Sequence, residues 1–429
     1  MAAVNVLLVE INPFVPVSTP ISLGYIAAFL NSKGFNARVL AIGQDTPLSR
    51  VNLEGLIRDF QPAVVGLSAY QRTMLYVLGF ADLVKSVNAD IKVVIGGPQA
   101  TFMPSAALVE MPGIDYICRS PGEVTLERIA EAVRAGTPFA DLSGVSYQHD
   151  GVIFDSPAIA GFADLDAYPS PYLTDVFDYS GMREAIMLTS RGCPHNCIFC
   201  YTPRAFHHKI SFHSIDRVIE EIKWINRHGV RRLWFADPNI SFRWDRVEEL
   251  LDRILTEGLE NEIWLQTRAD LVNPSMMRTM KRAGVDTIAF GLESASKRVL
   301  SKLGKHISVE KVAEAIGLAH REHVDVELFT IFGLPYETMA DAIETIEFVK
   351  KNKVKIRGNT NSQQMQIYFG TPMAEGYAAY HIRPLNEKRP AYLSIGSQYE
   401  TETMGQKEMK KIQMLWRSES LDRGRRIVS

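Results

Sequence analysis

Three of the chain's four cysteines, Cys193, Cys197 and Cys200, lie within eight positions, in the stretch Thr189-Ser190-Arg191-Gly192-Cys193-Pro194-His195-Asn196-Cys197-Ile198-Phe199-Cys200. As thiolates, a C-x3-C-x2-C set can hold three irons of a cubane 4Fe–4S cluster. No fourth cysteine follows nearby, which would leave one iron open to another ligand. A structural zinc site is the alternative. Closed zinc sites take four protein ligands, often as two separated pairs. His195 could be the fourth, but it sits inside the same tight loop, where a tetrahedral wrap is strained. Thiolate number and geometry favour the cluster.

The elements that must position this loop alternate strand and helix. Over residues 1–150, strand patterns fall at 4–9, 35–42, 63–68, 91–95 and 115–118, with helical patterns at 23–32, 53–60, 74–87 and 125–135. Such alternation predicts a parallel sheet with helices on both faces, a flavodoxin-like α/β domain. Ligands of such folds bind at loops beyond the strands' carboxyl ends, here 11–20, 68–73, 96–101 and 120–123. Gly96 and Gly97 would let backbone approach a ligand with no Cβ in the way. Cys118, ending an apolar strand, reads as a buried structural residue.

Residues 151–182, with Pro157, Pro169 and Pro171, read as an irregular linker. Alternation resumes over 183–375, with strands at 185–189, 232–236, 263–268, 286–291, 326–332 and 365–369 and helices between them. Six βα units are too few for a closed eightfold barrel and predict a partial one with a side opening. Its chemistry is expected at the carboxyl ends of the strands. Asp237, Arg268 and Glu293 stand at such ends. His207, His208 and His213 lack acidic partners at fixed spacing and read as surface or substrate-loop residues. From 376 to 429 the alternation is lost. This extension, with Tyr377, Tyr380, Tyr392 and Tyr399 and a helix at 407–416, is expected near the substrate opening.

Bulk properties narrow the function. Across 429 residues, 46% hydrophobic and 22% charged content are ordinary for a globular protein. A net charge of −2 argues against nucleic acid as a partner, and Arg423-Gly424-Arg425-Arg426 reads as a solvated terminus. Cysteine usage describes a reducing compartment. The first apolar run, 4–11, has the length of a strand, and no run is long enough to span a membrane, so a cytoplasmic protein is expected.

The cysteine stretch is similar to the signature of the radical S-adenosylmethionine (SAM) enzymes, with Phe199 as the aromatic before the last cysteine. A flavodoxin/Rossmann-like domain directly ahead resembles their cobalamin-binding (class B) subclass. The likeness covers roughly residues 1–375. It implies a 4Fe–4S cluster on Cys193, Cys197 and Cys200, with SAM on the open iron. It implies SAM contacts from Asp237, Gln266, Arg268, Glu293 and Ser294, where Gly291-Leu292-Glu293-Ser294 looks like the ribose-contacting motif. A guanidinium suits the SAM carboxylate, and a carboxylate can accept from its ammonium or hydroxyls. The local alternatives are an Arg268–Asp270 pair and a helix cap by Glu293. Gly333-Leu334-Pro335-Tyr336-Glu337-Thr338 resembles the loop beside the adenine. Ala236-Asp237-Pro238 replaces the family's Gly-Gly-Glu, which makes the Asp237 contact a departure.

For cobalamin the resemblance implies Ser68, Tyr70, Gln71, Gly96, Gly97, Pro98, Gly122 and Glu123. Residues 10–24 contain no histidine, so the Asp-x-His-x-x-Gly loop is missing; cobalt would lack a histidine ligand and face Tyr70 or Gln71. The implied activity is C-methylation of an unactivated carbon. A 5′-deoxyadenosyl radical abstracts hydrogen, and methylcobalamin delivers the methyl group. An electron donor of flavodoxin or ferredoxin type is implied. The substrate is a small molecule or a protein side chain, such as glutamine or arginine of methyl-coenzyme M reductase. One alternative is a non-methylating rearrangement or cyclisation of a tetrapyrrole, nucleoside or lipid. Another is a non-catalytic corrinoid-binding protein. A methylthiotransferase would need further cysteines in the N-terminal domain.

Overall fold

The computed structural model describes residues 3–16, 19–46, 49–137, 142–159, 164–354 and 364–422. The basic run at 423–426 lies outside the described residues. The chain divides into two compact units: Met1–Ser180 with Lys388–Ser394, and Gly181–Glu387 with Ile395–Ser429.

The first unit runs β1 (Asn5–Asn12), α1 (Ile21–Ser32), β2 (Asn36–Gly43), α2 (Arg50–Phe60), β3 (Val64–Ser68), α3 (Met74–Val87), β4 (Lys92–Gly96), α4 (Pro98–Thr101), β5 (Tyr116–Cys118), α5 (Gly122–Ala135), β6 (Val145–His149) and β7 (Val152–Asp155). The sheet order is β2-β1-β3-β4-β5-β6-β7. Its first five strands are parallel, and β6 and β7 add antiparallel. Near-continuous apolar strands suit a sheet covered on both faces. Val6, Leu8, Val64, Tyr116 and Ile129 accordingly share one core cluster. The strand order reverses between β1 and β3, which opens a crevice at their carboxyl ends.

The expected linker is partly structured. Asp150 and Gly151, at φ 50° and 77°, make a two-residue turn, so β7 pairs back on β6 where an irregular stretch was expected. Tyr168 and Tyr172 are buried, and the Phe177 ring stands where a Cβ on Gly24 would fall.

The second unit contains β8 (Glu184–Met187), β9 (Ser190–Gly192), α6 (Thr202–Ala205), β10 (Ile210–Phe212), α7 (Ile215–Arg227), β11 (Arg232–Phe235), α8 (Trp244–Thr256), β12 (Glu262–Thr267), α9 (Pro274–Arg282), β13 (Val285–Glu293), α10 (Lys297–Leu300), α11 (Val309–Arg321), β14 (Asp325–Thr330), α12 (Met339–Lys351), α13 (Pro372–Glu375), β15 (Ile382–Pro384), β16 (Tyr399–Thr401) and α14 (Gln406–Asp422). β8, β11, β12, β13 and β14 form a parallel five-stranded sheet in that order. Side-chain caps from Ser214, Asn273, Ser308 and Thr338 start α7, α9, α11 and α12. The sixth strand, expected at 365–369, is reduced to isolated bridges, Phe332 to Gln364 and Ile367 to Gly396. Gly333, at φ 79°, turns the chain out of line directly after Phe332 and ends the pairing.

Candidate active site

The cysteine loop is fastened at its base and along its length. Its expected lead-in strand stops at Met187, and β9 pairs antiparallel with β10, closing the loop at Gly192 opposite Ile210. Gly192 is at φ 96°, and a Cβ there would stand 2.2 Å from Lys209 O, so only glycine fits. Arg204, on α6, donates to Cys200 O at 2.9 Å, Cys197 O at 3.4 Å and Asn196 Oδ1 at 3.0 Å. Ile198 N–H donates to Leu303 O at 3.1 Å.

All three thiols are free and half-buried. Burial pushes the Cys193 thiol up and Cys197 to about 11, with the Lys305 charge opposing. A bound cation would offset the cost of forming their thiolates. Among the described residues, no three His, Cys, Asp or Glu side chains gather as ligands of one metal ion. Thiols that each take a different iron of a cubane stand further apart than ligands of one ion. His195 itself is held below its usual pKa by burial and then by the Arg268 charge, and its Nε2 is buried without a partner among the described residues.

The strand ends bring the remaining candidates to the same side of the sheet, but several are already committed. Asp237 is fully buried and accepts from Thr189 N at 3.2 Å, Thr189 Oγ1 at 2.9 Å and Ser190 Oγ. Its carboxylate fixes the entry to the cysteine loop. Arg268 forms a two-pronged pair with Asp270 at 3.0 and 2.7 Å and donates to Lys305 O and His306 O. Ser294 is likewise enclosed, and its hydroxyl accepts from Ser296 N at 3.2 Å, beside Thr345. Gln266 is half-buried and lies opposite Ala289 in the register.

Glu293 does not cap a helix. It ends β13 at φ 64°, past a register shift, and its Oε1 accepts from Lys305 Nζ at 2.5 Å. Lys305 also donates to Gly291 O at 2.6 Å. A Cβ on Gly291 would lie 2.2 Å from that ammonium, so the glycine admits the lysine. Nothing local in the sequence marks Lys305.

Asn239 was also not expected. Its Oδ1 accepts from Thr267 Oγ1 at 2.9 Å and Arg268 N at 3.3 Å, while its buried Nδ2 has no partner among the described residues. An orphaned donor at a strand end fits the carboxylate and hydroxyls of SAM. In the adenine-type loop, Glu337 accepts from Gly333 N at 2.6 Å and Leu334 N at 3.3 Å, and burial pushes it up to about 8. Tyr399 and Thr403 of the extension donate to Gly333 O and Glu337 O.

In the first unit, Ser68, Gly96-Gly97-Pro98 and Gly122-Glu123 all lie at the carboxyl edge of the sheet. Gly97 requires glycine, with φ 92° and a would-be Cβ 3.3 Å from Ala69 O, whereas Gly96 shows no such need. Gly122 packs against Ile26, and Glu123 is buried. The Tyr70 ring is 42% exposed, while its hydroxyl turns in beside Ser68 and Glu10. That enclosure, with the Glu10 charge, pushes the phenol up to about 12. Gln71 is bound to Ser394 through both ends of its amide. Cys118 is buried, with its thiol donating to Ser120 O and its pKa pushed up by burial. A buried amide oxygen without a partner, Gln99 Oε1, lies just beyond Pro98. This edge therefore has a glycine cradle at Gly97 where a ligand can approach the backbone.

Residues 187–349 match the Radical SAM superfamily, and residues 11–130 match the B12 binding domain. An uncharacterized methyltransferase of Pyrococcus horikoshii is 30% identical over 337 residues, 77% of this chain and 73% of the relative. An anaerobic magnesium-protoporphyrin IX monomethyl ester cyclase of Rubrivivax gelatinosus is 26% identical, over 77% of this chain and 62% of its own length. Among solved structures, the radical SAM methyltransferase TsrM of Kitasatospora setae, with cobalamin and a [4Fe-4S] cluster bound, superposes with a TM-score of 0.74 at 18% identity. That match covers 94% of this chain and 80% of TsrM. OxsB with aqua-cobalamin and SAM bound gives a TM-score of 0.78 at 18% identity, over 98% of this chain and 67% of OxsB. At these identities the likeness is one of fold.

Proposed function

Because the chain belongs to the cobalamin-dependent radical SAM methyltransferases, with a 4Fe–4S cluster, SAM and cobalamin as cofactors, we propose that it methylates an unactivated carbon through a substrate radical. The observation that carries this reading is the three-thiol loop fastened by Arg204 and Leu303 in a chain that also holds a B12 binding domain. The bound groups would supply one-electron cleavage of SAM at the cluster and carriage of the methyl group by the corrin.

The chain's own residues bind, orient and exclude water. Cys193, Cys197 and Cys200 would hold three irons and leave the fourth for SAM. Asn239 Nδ2 would donate to SAM, and Lys305 would set the carboxylate of Glu293. In the second unit, Trp234 and Trp264 stand opposite each other in the register, with ring centroids 5.5 Å apart. Trp264 also nears Phe329, at 6.4 Å.

For the acceptor we propose a carbon of an amino-acid residue in a protein. The proposed partner is an electron donor of flavodoxin or ferredoxin type. Four free cysteines support a reducing, cytoplasmic setting. Among the described residues, no helix is long and apolar enough to cross a membrane.

The second reading is a non-methylating cyclisation, which the cyclase relatives favour. Anaerobic turnover with a candidate acceptor separates the two by product mass. Gain of one CH2, labelled when SAM carries a labelled methyl group, is expected. A product without it would favour the cyclase reading.

A further inference from the structure

We infer that the outer side of the cysteine loop is the face on which the electron donor docks, and that the donor presents an acidic protein surface around a one-electron redox group. Lys209 and Lys302 steer it, and the exposed Phe206 gives it an apolar contact. The inference rests on the radical reading above, since a donor is needed only where the three thiols hold a cluster.

In the whole chain acidic residues outnumber basic ones, 49 to 47, but the reverse holds around this loop. Residues 185–215 contain Arg191, Arg204 and Lys209 and no Asp or Glu. Residues 294–309 contain Lys297, Arg298, Lys302 and Lys305, again without an acid. The fold brings the two stretches together. Ile198 N–H donates to Leu303 O at 3.1 Å, and a Cβ on Gly304 would stand 3.0 Å from Asn196 O. Lys297, Arg298 and Lys305 are matched by Glu310, Asp341 and Glu293. Arg204 donates to neutral oxygens, so no acid offsets its charge. Lys209 and Lys302 are exposed and have no acidic partner among the described residues.

The cationic face is built rather than loose. Phe206, His207, His208 and Lys209 form one exposed run, with Phe206 39% exposed. His207 and His208 stand at φ 50° and 55°, a region that side chains rarely adopt. His208 N–H donates to Pro203 O at 2.6 Å and Lys209 N–H to Phe206 O at 2.9 Å, which fixes the turn. The run is also fastened to the cysteine loop. His208 Nδ1 lies 3.3 Å from His195 O, and Lys209 O lies against Gly192. Asn196, the residue before Cys197, is itself exposed. A protein seated here therefore touches the loop that carries the thiols. Unmatched cations beside an apolar side chain fit an acidic partner, because complementary charge steers the encounter. The reduced donor gives up one electron to the group held by the three thiols and leaves oxidised. No proton or other atom is transferred.

The test uses the full chain with its cluster reconstituted, and a recombinant flavodoxin and a recombinant ferredoxin as probes. The probe that binds wild type more tightly in its oxidised form is carried forward, and its affinity should fall steeply as salt rises. Lys209→Glu with Lys302→Glu should weaken that binding about tenfold and slow 5′-deoxyadenosine formation driven by the reduced probe by a similar factor. Lys209→Gln with Lys302→Gln should fall between the charge-reversed variant and wild type. Iron per chain should be unchanged in both. Reduced methyl viologen, a small cation that needs no acidic face to dock, should serve the variants at least as fast as wild type. Undiminished probe binding in the charge-reversed variant, salt-independent binding by wild type, or binding of neither probe overturns the inference. So does loss of turnover with methyl viologen at full iron, which would assign the face to the acceptor. A wild type that forms no 5′-deoxyadenosine with any reductant overturns the radical reading itself.

Discussion

The ammonium of Lys305 lies 2.5 Å from Glu293 Oε1, with both side chains more than nine-tenths buried. Removing one partner of such a pair strands a buried charge, at about 3–5 kcal/mol. Lys305→Met should therefore lose stability in denaturant unfolding, and the double variant with Glu293→Gln should recover most of it. SAM affinity of the cluster-loaded protein should stay at least about tenfold weaker in both, since the acceptor is no longer positioned. Recovery of SAM binding along with stability would reduce the pair to a structural role.

Asp237 separates two accounts of the strand end. If it holds Thr189 and Ser190, Asp237→Ala should lower iron per chain after anaerobic reconstitution. Asp237→Asn, which keeps one acceptor, should fall between the alanine variant and wild type. A full iron complement in Asp237→Ala with SAM binding lost would restore the direct SAM contact.

Glu337 gives a pH dependence of known sign. Its carboxyl is raised from 4.5 to about 8 by burial. Between those values the folded chain keeps a proton that the unfolded chain has lost, so stability falls as pH rises through the window. The slope is at most about 1.4 kcal/mol per pH unit. Below it, both states are protonated and the effect is fully present as stability. Glu337→Gln should flatten this fall in denaturant unfolding series. An unchanged slope would mean that the group does not carry the proton.

Gly97→Ala should strain the turn that joins the ends of β3 and β4, because an L side chain at φ 92° costs about 1–3 kcal/mol. Hydroxocobalamin binding should weaken along with thermal stability, whereas Gly96→Ala should be close to neutral. Equal effects at the two positions would contradict the geometry.

The features legible in the sequence were those carried by local spacing. The cysteine loop, the strand–helix alternation and the glycine turn at Gly97 each depend on near neighbours in the chain. The β6–β7 hairpin was also legible, since Asp150-Gly151 is a strong two-residue turn signal. It was missed because the prolines beyond it suggest a linker. Lys305, Asn239 and the Gln71–Ser394 contact could not be read in this way. Lys305 acts across 12 residues through a register shift, and Ser394 meets Gln71 across 323. Asp237 and Arg268 were found by position, but their bonds to Thr189, Ser190 and Asp270 depend on tertiary or loop geometry.

The central claim is that an open iron in this loop binds and cleaves SAM. Its most direct measurement is 5′-deoxyadenosine formed anaerobically from SAM and a low-potential reductant by the reconstituted full chain. Wild type should form it, and Cys193→Ala, Cys197→Ala and Cys200→Ala should not. A wild-type protein with a full iron complement that forms none would contradict the account.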